Sequence, residues 1–235
     1  MALRSEFPSL PESHISLSFL EDLPEYDETK PYYFSGPLPE EQEELRTNIR
    51  YQTLNRIPLL NLRGQEHKLD VEKHGFEIIK VPESILRLDV RGAGRGEYME
   101  KMAGAVKRRL NATFVVCYNY KVSVWRPLGV VHECDLLYGD FTTVAPTDLH
   151  AVDRASSEYV GEVYMLKPRS HYDWYWVDHQ RPDEASIFIS FDSHPASGAP
   201  YCPHTSKPKL GSNTTSSASP RESIELRLIV FSPAA

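Results

Sequence analysis

The C-terminal half of the chain is written in short alternating runs. "ATFVVCYNYKVSVWRP", "VGEVYMLK", "HYDWYWVD", "ASIFISFDS" and "SIELRLIVF" are rich in β-branched and aromatic residues and are divided by Pro, Gly, Asp and Ser. That is the pattern of strands in a sandwich or barrel. A helical period stands out in "GRGEYMEKMAGAVKRRL", where Met99, Met102, Ala103, Val106 and Leu110 share one face. It predicts one amphipathic helix laid over a sheet. The first 60 residues are punctuated by proline, as in "DLPEYDETKPYYFSGPLPEEQEELR", with short extended runs such as "ISLSFL". They read as an irregular arm packed on the core. The polar, low-complexity stretch over residues 205–219 predicts a mobile surface loop beside the last strand. The prediction is therefore a mainly β protein with a few helices, one domain over residues 1–235.

Composition narrows the functions open to such a fold. At 235 residues and 40% apolar content the chain closes one sizeable core. A net charge of -7, with no basic cluster interleaved with aromatics, argues against nucleic acid as a partner. No window approaches the length of a membrane span and the N-terminus has no signal-peptide run, so no membrane and a cytoplasmic location are expected. Cys117, Cys134 and Cys202 are an odd number without a C-x-x-C pair, which predicts reduced thiols rather than disulfides or a zinc site.

Several local patterns imitate active sites. Gly92, Gly94 and Gly96 precede the helix, but no strand leads into them and no acidic residue follows at dinucleotide-binding spacing, so they read as the start of the helix. No G-x-S-x-G elbow is present. "VVHECD", with His132, Glu133, Cys134 and Asp135, reads as a solvated loop. His204 lies 17 positions before Arg221, which with Ser223 heads the last strand-like run. This layout resembles the C-terminal end of an iron and 2-oxoglutarate oxygenase, and the resemblance implies a histidine that closes a facial triad and an arginine that clamps the cosubstrate.

Taken together, "PYYFSGPLPEEQEELRTNIRYQTLNRIPLLNLRGQEHKLDVEKHGFEIIK", "VWRPL", "GEVYMLKPRSHYDWYWVDHQRPDEA", "FDSHP", "PHTS" and "PRESIELRLIVF" resemble the fungal AsaB-like hydroxylase/desaturase family, relatives of gibberellin desaturases. The resemblance runs from about Pro31 to Phe231. It implies a double-stranded β-helix core, jelly-roll or cupin-like, of the 2-oxoglutarate oxygenase type, with the triad and the arginine facing inward. One departure stands out. In the family a segment carrying Val-His-x-Asp separates the two strands that here abut as "FVVCYNYK" and "VSVWRPL", so the His-x-Asp expected before Trp125 is missing. The other His-x-Asp, His171 to Asp173, matches a His-x-Trp-Tyr pattern that lies downstream of the ligand pair, and it reads as structural.

A single imidazole holds ferrous iron poorly. The expectation is therefore a protein with no metal and no cofactor, with Fe(II) and 2-oxoglutarate as the alternative. The expected activity is cyclisation of hetero-Diels-Alder type in fungal secondary metabolism, the alternative an Fe(II)/2-oxoglutarate hydroxylase or desaturase of a natural product. His204, Arg221 and Arg126 are the candidate catalytic donors. Trp125, Tyr164, His171, Tyr172, Trp174 and Tyr201 are the candidate walls of an apolar cavity, with Trp176 and Phe191 as further aromatics. The implied partner is an apolar small molecule, polyketide- or terpenoid-like, bound by a monomer or homodimer.

Overall fold

The computed structural model describes residues 3–195, 198–207 and 221–232, without the side chains of 118–121. Its strands are β1 (Glu12–Leu20), β2 (Tyr32–Phe34), β3 (Tyr51–Asn61), β4 (Phe76–Lys80), β5 (Phe114–Pro127), β6 (Leu136–Gly139), β7 (Leu149–Ala155), β8 (Val160–Leu166), β9 (Trp174–Trp176), β10 (Glu184–Ile189), β11 (His204–Ser206) and β12 (Ser223–Phe231). The predicted helix spans Arg95–Arg109. The chain divides into two compact units, one made of Met1–Glu12, Leu60–Phe141 and Trp174–Ala235, the other of Ser13–Leu59 and Thr142–Asp173.

In the first unit one sheet has four strands and another contributes β9, β6 and β11. The larger set there has the order β12-β5-β10-β4, and its pairs are antiparallel. Side chains alternate across it. Leu226 and Leu228 of β12, Val122 and Val124 of β5, and Ile187 and Ile189 of β10 share one core with Tyr98, Met102 and Val106 of the long helix. The helix therefore buries the stripe that its sequence period predicts, and each such side chain contributes roughly 1.5–3 kcal/mol. Trp125 and Phe188 take the other face of the sheet and join Phe76, Tyr138 and Tyr175 in a second core.

Tyr138 belongs to the other sheet, in which β9, β6 and β11 follow in that order with antiparallel pairing. The two sheets meet through aromatic rings. Phe76 stacks on Tyr138 with centroids 4.5 Å apart, and the Tyr138 hydroxyl bonds to Ser186 Oγ. Burial pushes the Tyr138 phenol far above its ordinary range, so it stays neutral in this layer.

At one edge of the first unit, Glu184 is buried among cations. Its carboxylate meets Arg63 at 2.9 Å, Lys80 at 3.0 Å and Arg181 at 3.0 Å. Burial alone would raise its pKa. The bonds from Arg63, the Arg181 amide and Lys80 outweigh that and pull it down to about 2.

The second unit pairs β2 parallel to β7 and β7 antiparallel to β8, and β1 lies beside β3. Leu20, Tyr26, Ile49 and Val152 form its core. The first 60 residues are thus not an irregular arm: β1 and β3 are strands of nine and eleven residues. The prolines of "DLPEYDETKPYYFSGPLPEE" punctuate the connections between strands, and they drew attention away from the alternation on either side. Of the loop expected over residues 205–219, Thr205 and Ser206 belong to β11, and the part from residue 208 lies outside the described residues. Cys117, Cys134 and Cys202 are free thiols, as expected. No described helix is long and apolar enough to cross a membrane.

Candidate functional site

The inner face of the four-stranded sheet in the first unit is read from its register. Trp125 of β5 sits between Glu225 of β12 and Ser186 of β10, and Ser123 sits between Arg227 and Phe188. These six residues form two rows pointing away from the long helix. The facing strand β11 brings His204 onto them, its ring 4.4 Å from that of Phe188.

His204 keeps solvent contact as a residue, yet desolvation lowers its pKa, with Arg227 acting in the same sense and the Cys202 carbonyl and Glu225 opposing. The imidazole Nδ1 is 2.9 Å from the Cys202 carbonyl oxygen, which only accepts, so Nδ1 carries the proton. The neutral ring then turns a lone pair at Nε2 outward. This orientation by a backbone carbonyl is common to metal-ligating and general-base histidines.

Arg221 closes the rim of the same face. Its Nη1 donates to the Cys134 carbonyl and to Ser206 Oγ at 3.3 Å, and the guanidinium lies 5.4 Å over the Trp125 ring. The anchored Nη1 leaves Nε and Nη2 without a partner among the described residues. Those two nitrogens form the fork that binds a carboxylate through two parallel bonds. Trp125, only 4% exposed, is part of the core beneath that fork.

The other candidates are placed differently. Arg126 projects to the opposite side of β5, where its Nε donates to the Tyr98 hydroxyl at 3.1 Å and its guanidinium covers the Tyr98 ring. Trp174 is buried in the first unit, and Tyr201 is half-buried there. Tyr164, His171 and Tyr172 belong to the second unit. Tyr172 is core, donating to the Lys167 carbonyl at 3.0 Å, whereas Tyr164 is 64% exposed and His171 is exposed 3.9 Å from Asp148. Asp135, expected in a solvated loop, is buried, and burial raises its pKa against the pull of Lys207. Sequence reasoning missed Ser123, Glu225 and Arg227. Their signal was the alternation of "SIELRLIVF", which sets Glu225 and Arg227 on the face begun by Ser223.

A family model described as an oxidoreductase/YMDC permease-like domain matches residues 17–123 and 121–231. The chain belongs to that family. It is 27% identical to the Fe(II)/2-oxoglutarate-dependent dioxygenase nvfI of Aspergillus novofumigatus over 261 aligned residues, covering 85% of this chain and 90% of that protein. It is 33% identical to aspirochlorine biosynthesis protein N of Aspergillus oryzae over 113 residues, 47% of each chain. The solved structure of the iron and alpha-ketoglutarate-dependent endoperoxidase NvfI superposes with a TM-score of 0.75 at 24% identity, covering 95% of this chain and 99% of that one. The likeness shows the expected fold, a jelly roll of the 2-oxoglutarate oxygenase type.

These relatives correct one expectation. A protein without a cofactor was predicted, and the relatives are Fe(II)- and 2-oxoglutarate-dependent by name. Against the chain's own donors, iron fits only in part. Among the described residues no three His, Cys, Asp or Glu side chains come together to hold a metal ion, and the remaining residues contain none of these four types. His204 is oriented as a ligand but lacks two companions. The fork of Arg221 fits one carboxylate of 2-oxoglutarate.

Proposed function

We propose that this chain is an oxygenase-type enzyme of fungal secondary metabolism, a hydroxylase or desaturase of a small-molecule natural product that uses 2-oxoglutarate and Fe(II). The carrying observation is the convergence of His204 and Arg221 on one inner face. These are the residues to which the AsaB-like resemblance assigns the last metal ligand and the cosubstrate clamp. The cofactors named for the relatives support the same reading. In it Arg221 binds the far carboxylate of 2-oxoglutarate through Nε and Nη2, Trp125 keeps the guanidinium flat, and His204 offers Nε2.

A second reading rests on a separate observation. Consecutive residues Arg227 and Leu228 of β12 face Ser123 and Cys117 of β5, so the ladder skips the residues between. The skip falls at the junction of "CYNYK" and "VSVW", where the family resemblance expects the His-x-Asp segment. An alignment of 261 positions, longer than this chain of 235 residues, accords with added sequence in the relative. With those ligands missing, the same donors suit ring closure of hetero-Diels-Alder type. His204 and Arg221 would hold an oxygen on which negative charge develops, and the face between them would orient the reacting ends.

Succinate formation separates the two. The first reading expects the purified chain, given Fe(II), oxygen and 2-oxoglutarate with extracts of a producing fungus, to release succinate and to lose that activity in Arg221→Ala. Product formed without succinate, and persisting in chelator, would favour ring closure instead.

A further inference from the structure

We propose that Glu225, Arg227 and Ser123 form a recognition subsite for a hydroxyl group beside a carbonyl on the substrate, so that the substrate is not wholly apolar. The inference rests on the reading above that this inner face is where the small molecule sits. Ser123 is 1% exposed, yet its Oγ donates to Glu225 Oε1 at 3.0 Å and lies 3.3 Å from Ser190 Oγ. The Glu225 carboxylate is thus tied to the sheet at one oxygen while its side chain stays 37% exposed and open to a ligand. Arg227 Nε reaches the same oxygen at 3.4 Å, and the register places Arg227 directly across from Ser123.

Two groups remain open once these bonds are counted. Glu225 Oε2 has no partner among the described residues, and neither do Nη1 and Nη2 of Arg227. One is an acceptor, the others are donors, and the pair carries no net charge. A free carboxylate would meet repulsion from Glu225, and a cation repulsion from Arg227. A neutral ligand with a hydroxyl donating to Glu225 and a neighbouring carbonyl accepting from Arg227 satisfies both. The exposed ring of His204, seated on Phe188, offers its open face to a flat, unsaturated body beside these polar groups. The chemical class is therefore a hydroxy-carbonyl compound with a planar ring.

The probe is 2,4-dihydroxyacetophenone, which carries a hydroxyl next to a carbonyl on one ring, with its dimethyl ether as control. Affinities are measured by ligand-observed NMR titration of the whole chain. Wild type should bind the diol about tenfold more tightly than the ether, the scale of one hydrogen bond to a charged group. Glu225→Gln and Arg227→Gln should each weaken the diol by about the same factor and leave the ether unchanged. The proposal is overturned if the diol does not bind, if diol and ether bind alike, or if either folded variant keeps wild-type affinity for the diol. Should one variant fail to fold, the other decides. Because the readout is binding alone, a chain that forms no succinate but discriminates diol from ether refutes the reaction and keeps the subsite.

Discussion

At Arg221 the side chain's own bonds decide what it offers. A guanidinium held at Nη1 by the Cys134 carbonyl and Ser206, and laid over Trp125, has given up most of its rotamer freedom before any ligand arrives. Arg221→Lys should therefore behave almost as badly as Arg221→Ala toward 2-oxoglutarate, weakening binding by about tenfold or more, because an ammonium cannot reproduce the fork. Calorimetric titration checks it, and a lysine variant with wild-type affinity would show that charge alone is read. Glu184 gives the second prediction at this scale. Its folded pKa of about 2 lies below the ordinary carboxylate value of 4.5, so its contribution is complete above pH 4.5 and is lost as the pH falls toward 2. Glu184→Gln leaves three cations around a neutral amide and should cost about 3 kcal/mol at pH 7, with the gap from wild type closing by pH 2–3. Urea midpoints at pH 7 and pH 3 test this, and a constant gap would contradict the assignment.

Elements were legible in proportion to the regularity of their burial. The helix Arg95–Arg109 could be read because Met102 and Val106 are fully buried and recur with its turn. Met102→Ala should cost about 2–5 kcal/mol with no direct effect on ligand binding, as judged by thermal or urea unfolding. The strands β5, β10 and β12 were likewise visible in their β-branched runs. The N-terminal strands β1 and β3 were missed because much of each is exposed or half-buried, and polar positions such as Ser16, Ser18, Thr53 and Asn55 blur the alternation. Ser16 bonds to Asn55 at 2.7 Å and Ser18 meets Thr53 at 2.9 Å, so these polar residues bind strand to strand. At the candidate site, the spacing of His204 and Arg221 singled them out, and both lie against aromatic residues of one sheet face. Arg126 was misjudged in direction because a strand reverses its side chain at every residue: Trp125 faces His204's side of the sheet and Arg126 the helix. Glu225 and Arg227 were not singled out, because their place on the face shared with Trp125 and Ser123 follows from the register of β12 against β5.

Across the whole molecule, the fold is the jelly roll of the 2-oxoglutarate oxygenases, and under the proposed function Arg221 and His204 supply part of such a site. The grouping of ligand side chains that would complete it is not found among the described residues. Under the proposed function this face receives 2-oxoglutarate. Anaerobic calorimetric titration of 2-oxoglutarate into the purified chain with Fe(II) present, beside Arg221→Ala and Ser123→Ala, tests this. Saturable binding at one site per chain is expected, lost in Arg221→Ala and kept in Ser123→Ala. No binding to the wild-type chain, or binding that survives Arg221→Ala, would contradict it.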